Sequence, residues 1–271
     1  MASPPSDTAW LSAWAAVAGA VIALIATAAS LVAAVFGVRA SYGIADAQGQ
    51  NEARSEISGY VVKMSELDRT GGNAYRNEIG TLAKQVDSLV ARYGQKKLNL
   101  SASTYRLTGL FVTLSTTDLE LAVRMAHRAL DLAARMEPDG VGGQRMSDPL
   151  EALQAHRLLA DVAAQNLDFG TMTEEYEAAL RISDTEGARN RYIRLEAPRF
   201  TRAYWALSTV MLVDDLQHPT AEECLEVRRR VDAARKDFEV LGQNPEIVRR
   251  AKRIEDNACA VPIELRSLRG Y

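Results

Sequence analysis

The sequence predicts an all-α chain, a single N-terminal transmembrane helix followed by a stack of helical hairpins. Three observations carry this. Residues 9–38 contain no charged side chain. Beyond them, apolar positions recur at three- and four-residue spacing, the signature of helices with one buried face. Helix-start signals then return at regular intervals down the rest of the chain, which is the pattern of a repeated unit.

Composition sets the outer limits. The 271 residues are 47% hydrophobic and 25% charged, ordinary for a chain that buries a core. Thirty-two basic residues are balanced by 35 acidic ones for a formal net charge of -3, so no global field draws polyanions and nucleic acid is an unfavoured partner. The two cysteines, Cys224 and Cys259, lack metal-knuckle spacing and are read as buried or free thiols.

The first element is the span. A helix of thirty residues reaches about 45 Å and crosses a hydrocarbon core of about 30 Å. Trp10 and Trp14 suit the headgroup level at one end. A cleavable signal peptide is disfavoured, because residues 1–8 hold no Lys or Arg and the apolar run is too long for one. Residues 1–8 are then a short extracytoplasmic tail. The flank after the span carries Arg39, Arg54 and Lys63, which places the C-terminal domain in the cytoplasm and the protein in the cell membrane as a single-pass chain. Gly19 and Ala23 form a small-residue face that two spans could share as a homodimer.

After the membrane, residues 39–69 form a juxtamembrane segment whose core is an amphipathic helix over 44–67, with Ile44, Ala53, Ile57, Val61, Met64 and Leu67 on one stripe. The loop Arg69-Thr-Gly-Gly-Asn73 ends it, Asn73 caps the next helix, and Gly94 closes that one. The helical domain covers 74–259. Within it three Thr-x-x-Glu boxes, at Thr117, Thr171 and Thr220, each open the second helix of a hairpin. The preceding helices are expected at 102–115, 149–168 and 198–216, the last two started by Pro149 and Pro198. A helix over 245–259 caps the stack, and residues 260–271 are a tail.

The middle hairpin carries a resemblance. Leu159-Ala160, Asp168-Phe169, Tyr176 and Ala179 fall where a tetratricopeptide repeat has its Leu-Gly pair, its turn, and the aromatic and alanine of its second helix. A weaker match runs through Asp118-Leu119, Ala122, Ala126 and Ala129-Leu130. The chain departs from that family with Ala160 and Ala163 for the glycine and aromatic, Met172 for an alanine, and a unit of about fifty residues rather than thirty-four. The resemblance implies a TPR-like α-solenoid that binds a protein or peptide partner in its concave face.

No catalytic, cofactor or metal site emerges. His127, His156 and His218 stand in different hairpins, with no histidine or cysteine partner at helical spacing. Gly140-Val-Gly-Gly143 lacks the lysine and preceding strand of a phosphate loop and reads as a mobile connection. The most suggestive feature is arginine: Arg189, Arg191, Arg194, Arg199 and Arg202 face only Glu186 and Glu196 between those positions. Two surfaces therefore become candidate partner-binding sites, Asp161, Gln165 and Asn166 by analogy with the concave face, and the five arginines.

The sequence thus points to a membrane-anchored, non-enzymatic protein-interaction scaffold. The alternative is a membrane-bound sensor or regulator that binds a phosphorylated ligand or nucleic acid through the arginine-rich segment. An inverted topology, with a chaperone-like domain outside the cytoplasm, is a third reading.

Overall fold

The computed structural model describes residues 46–140, 142–216 and 219–240, together with Arg249. The expected span at 9–38, its Gly19/Ala23 face, the capping helix at 245–259 and the tail at 260–271 lie outside these residues. Among the described residues no helix is long and apolar enough to cross a membrane.

The chain divides into two compact units, Met1–Ser55 and Glu56–Tyr271. The first is described only at its end, where residues 46–55 are helical and side-chain bonds one turn apart run from Gln48 to Glu52 and from Gln50 to Asp46.

The second unit is almost wholly helical. Helical backbone covers 46–71 (α1), a few residues longer than the stripe predicts, and Ile57 and Met64 on that stripe are fully buried. A single 3-10 turn, Gly72–Tyr75, leads into α2 (Arg76–Tyr93). Asn73 lies within that turn and is not the cap; the helix is preceded by Tyr75, with no side-chain capping bond. Gly94 does close α2, at φ 84°, with its N–H on the Val90 carbonyl. A short helix, α3 (Gln95–Leu98), buries Leu98 and ends in left-handed Asn99.

Three hairpins follow: α4 (Ala102–Ser115) with α5 (Leu119–Ala133), α6 (Pro149–Gln165) with α7 (Phe169–Glu186), and α9 (Ala197–Asp215) with α10 (Ala221–Val240). Each pair packs internally, and consecutive hairpins stack through α5 on α6 and α7 on α9. The first helices also form their own row, α2 on α4, α4 on α6, and α6 on α9. This is a stack of helical hairpins, compatible with a helical repeat.

The unit is long because each connection between hairpins holds an extra element. Between α5 and α6 a two-stranded antiparallel ribbon pairs β1 (Met136–Pro138) with β2 (Gln144–Met146), Met136 opposite Met146. At the end of this ribbon Gly140 and Gly142 lie at positive φ, and Asp139 Oδ1 accepts from the Gly143 N–H at 2.8 Å. Between α7 and α9 lies α8 (Arg191–Leu195), capped by Asn190.

Helix starts correct two of the three expected capping boxes. Thr220 and Glu223 do bond reciprocally, each side chain to the other's backbone N–H. At the other two sites an aspartate wins. Asp118 accepts from the Leu121 N–H at 3.0 Å, and Asp168 accepts from the Thr171 N–H at 3.0 Å and its hydroxyl at 2.7 Å. A short carboxylate caps better than threonine and gains from the helix dipole, so the threonines fall outside the cap. One thiol expectation also changes: Cys224 is disulfide-bonded, while Cys259 lies outside the described residues.

Among the described residues, two clusters of buried side chains join the later hairpins. Tyr176 of α7, Trp205, Ala206 and Val210 of α9, and Val227 and Val231 of α10 join Ala160, Ala163 and Ala164 of α6 in the larger. Ala133, Ala152, Leu153, Ala179, Ile182 and Ala197 form the second. Tyr176 and Trp205 stack with ring centroids 5.5 Å apart. Ion pairs tie neighbouring helices at the rim: Arg106 to Glu151 at 2.6 Å, Arg128 to Asp87 at 2.7 Å, and Arg202 to Asp237 at 2.8 Å.

At Gly109, α4 lies close against both α5 and α6. A Cβ there would meet Leu158 Cδ2 at 2.9 Å and the Ala122 carbonyl at 3.1 Å. Gly109→Ala is expected to lower the urea midpoint by the equivalent of about 1–3 kcal/mol through overpacking, although alanine is the better helix former; an unchanged midpoint would mean the helices separate freely. Asp168→Ala is expected to cost about 1 kcal/mol at neutral pH, with Asp168→Asn near wild type. Hydrogen bonds from Thr171 hold the Asp168 carboxyl below its usual 3.8. Its contribution is thus present above that value and lost as pH falls through the lower folded one, so the two denaturation curves should converge in acid.

Candidate functional site

The row of first helices leaves a groove. It is a cavity of about 200 Å³ lined by α4, α6 and α9. Helical periodicity explains its lining. Leu110, Thr113 and Leu114 of α4, and Asp161, Ala164 and Gln165 of α6, sit at i, i+3 and i+4; Tyr204, Leu207, Ser208, Met211 and Asp215 continue one face of α9 over three turns. Leu114 and Met211 are 50% and 41% exposed, which is unusual for large apolar side chains lining one concavity. Gln165 Nε2 reaches the Thr113 carbonyl at 3.4 Å and links α6 to α4.

A buried polar cluster borders the groove. Asp161 Oδ1 accepts from Tyr176 Oη and, at 2.9 Å, from Ser208 Oγ. The two hydroxyl oxygens are themselves 2.8 Å apart. Three mutually close oxygens need three protons to satisfy every pairing, and the two hydroxyls supply only two. Burial pushes Asp161 above the ordinary carboxylate value, against the hydrogen bonds and the charge of Arg157, which favour its ionised form. Burial, then the Asp161 charge, pushes the Tyr176 phenol well above 10. Tyr176 therefore keeps its proton, and the cluster joins α6, α7 and α9. Arg157 lies over the Tyr204 ring at 4.3 Å, and Arg230 over the other face of the core at Trp205.

The expected site residues part company. Asp161 and Gln165 line the groove. Asn166 caps α6 and is exposed. The arginines do not converge on one surface. Arg189 binds Asp139 of the ribbon turn at 2.8 Å. Arg199 and Arg202 both engage Asp237 of α10. Arg191 and Arg194 are exposed on α8. His156 Nδ1 is 2.6 Å from Glu175, His127 is exposed, and His218 lies outside the described residues. Among the described residues no group of three or more His, Cys, Asp and Glu is placed to hold a metal ion.

Sequence reasoning missed Leu114, Leu207 and Met211. Helix α9 is apolar on two faces: Trp205, Ala206 and Val210 face the core, whereas Leu207 and Met211 line the groove. A helix with more apolar surface than one core contact needs has a second surface to cover.

No protein-family model, curated protein or solved structure matches the chain. The structure alone defines what can be said of its class, which is a stack of helical hairpins with a groove along its first helices.

Tyr176→Phe removes one of the two hydroxyl donors to Asp161 and should raise that carboxyl further. The neutral acid is the form the fold favours, so its stabilising contribution is present below 3.8 and lost as pH rises through the folded value. Denaturation at neutral pH is expected to show a loss of about 1–2 kcal/mol, shrinking toward pH 4. A loss that is constant with pH would show that Asp161 does not respond to the phenol.

Proposed function

We propose that this chain is a membrane-anchored, non-enzymatic scaffold that holds a protein or peptide partner in the groove between α4, α6 and α9. The observation that carries this reading is the pair Leu114 and Met211, exposed apolar side chains facing a concavity built from three successive first helices. The resemblance of the middle hairpin to a tetratricopeptide repeat supports the same reading. Its marker residues Tyr176 and Ala179 are buried at the joint with the next hairpin, as stacking repeats require. The apolar run at 9–38 is the proposed anchor, and the following basic residues favour a cytoplasmic domain.

One observation favours the opposite side of the membrane. Cys224 is disulfide-bonded, and disulfides persist mainly in oxidising compartments. Alkylating thiols during cell lysis, then comparing migration with and without reductant, separates the two: a shift on reduction supports the extracytoplasmic placement.

The scaffold reading is tested by placing a photo-crosslinking amino acid at Leu114, at Met211 and, as a control, at exposed Leu225 of α10 in the full-length protein in its native membrane. Discrete adducts to one protein from the two groove positions, absent from Leu225, are expected. Adducts from none of the three, or equally from all, would remove the groove as the site.

A further inference from the structure

The chemistry of the groove restricts its occupant, on the reading that it is a docking site. We propose that it takes a peptide segment of a partner protein in which an apolar side chain is accompanied, within about one helical turn, by Lys or Arg.

The apolar half of this follows from Leu110, Leu114, Leu207 and Met211. A cavity of about 200 Å³ accommodates one or two large side chains.

The cationic half rests on three independent features of the same place. The acidic residues lining the groove are Asp161, which burial holds toward its neutral form, and Asp215, which is exposed; among the described residues no Lys or Arg lines it. The lining on α4 and α6 comes from their C-terminal ends, since α4 stops at Ser115 and α6 at Gln165, and the α9 lining runs to its last residue, Asp215. Helix C-termini carry partial negative charge on their free carbonyls, so these ends add to the Asp215 carboxylate. Finally, helices normally answer that charge with Lys, Arg or His in the last turn, and none of these three helices has a basic residue there. Helix α9 does the reverse, ending in Asp214-Asp215, which its own dipole disfavours.

The main countercharge within the domain is Arg157, whose charge reaches Asp161. Its guanidinium is stacked on Tyr204 and it is not part of the lining. The end of the groove at Asp215, which is exposed, is left for a cation from outside. Two cations of the arginine-rich segment, Arg199 and Arg202, are engaged with Asp237 of α10. The charge of the groove is thus opposite to that of the segment first suspected of binding.

The test is selection of a random short-peptide display library on the full-length protein in nanodiscs, followed by titration of a recovered peptide and its analogue with Lys or Arg replaced by Gln. Recovered sequences are expected to pair Leu, Met or Phe with Lys or Arg. The Gln analogue should bind about fivefold more weakly, Asp215→Asn should remove most of that difference, and Met211→Glu should weaken binding of both neutral and basic peptides to the apolar cavity. Peptides that depend on Met211 but show no basic preference, or that are enriched in Asp and Glu, would overturn the inference while leaving the groove a docking site. Peptides indifferent to Met211→Glu, or none recovered, would overturn the docking reading itself. Displacement of a bound peptide by a small aliphatic diamine at low concentration would make the occupant a small cation and also overturn the inference.

Discussion

The packing of α6 is the constraint on which the rest of the stack depends. This helix touches α4, α5, α7 and α9, and no helix can be approached on that many sides unless much of its surface is small. Ala152, Ala155, Ala160, Ala163 and Ala164 are all buried. Alanine also has the highest helix propensity, so close approach is gained without weakening the helix. Gly109 does the same at the joint where α4 meets α5 and α6. Larger side chains at these points would push the first helices apart and lose dispersion contacts along the whole row.

Small residues set how near the helices come; polar ones help set which way they face. An apolar core tolerates sliding, because its contacts are non-directional. The Asp161, Tyr176 and Ser208 cluster does not, since its hydrogen bonds hold only when α6, α7 and α9 keep one register. The Tyr176 ring simultaneously stacks on Trp205, so one residue serves both the polar joint and the apolar core. The groove is a consequence of this joint. Asp161 and Ser208 point from it into the cavity, and the same register brings Leu114 and Met211 to a common surface.

In the arginine-rich segment, local charge is only part of the balance. Five arginines against two glutamates between residues 186 and 202 suggest an anion site when only near neighbours in sequence are considered. Asp139 and Asp237 are roughly fifty and thirty-five positions away from their partners, and only folding brings them beside Arg189 and Arg202. Those aspartates lie on the ribbon turn and on α10, so the charges act as ties between elements. Meanwhile the groove gathers carboxylates and helix C-termini from three distant segments, a negative character that no window of the sequence contains.

Much of the helical domain was legible in advance, for a physical reason. Helices are local objects: α4, α6 and α9 begin and end within a few residues of where Pro149, Pro198, Gly94 and the apolar spacing place them, because propensity, capping and periodicity act within one or two turns. The same locality explains the misassigned caps at Asp118 and Asp168, where two good capping residues lie within three positions and fine geometry selects one. Asp161 and Gln165 could be named as groove residues because a repeat-like hairpin exposes a known face of its first helix. Leu114, Leu207 and Met211 could not, since an apolar residue on a helix reads as core until its neighbours are known. By itself, then, the sequence determined the helices, their pairing into hairpins and the apolar run at 9–38. The tertiary structure decided which apolar side chains stayed uncovered, which charges were neutralised and what sign the groove carries, because those depend on contacts between segments far apart in the chain.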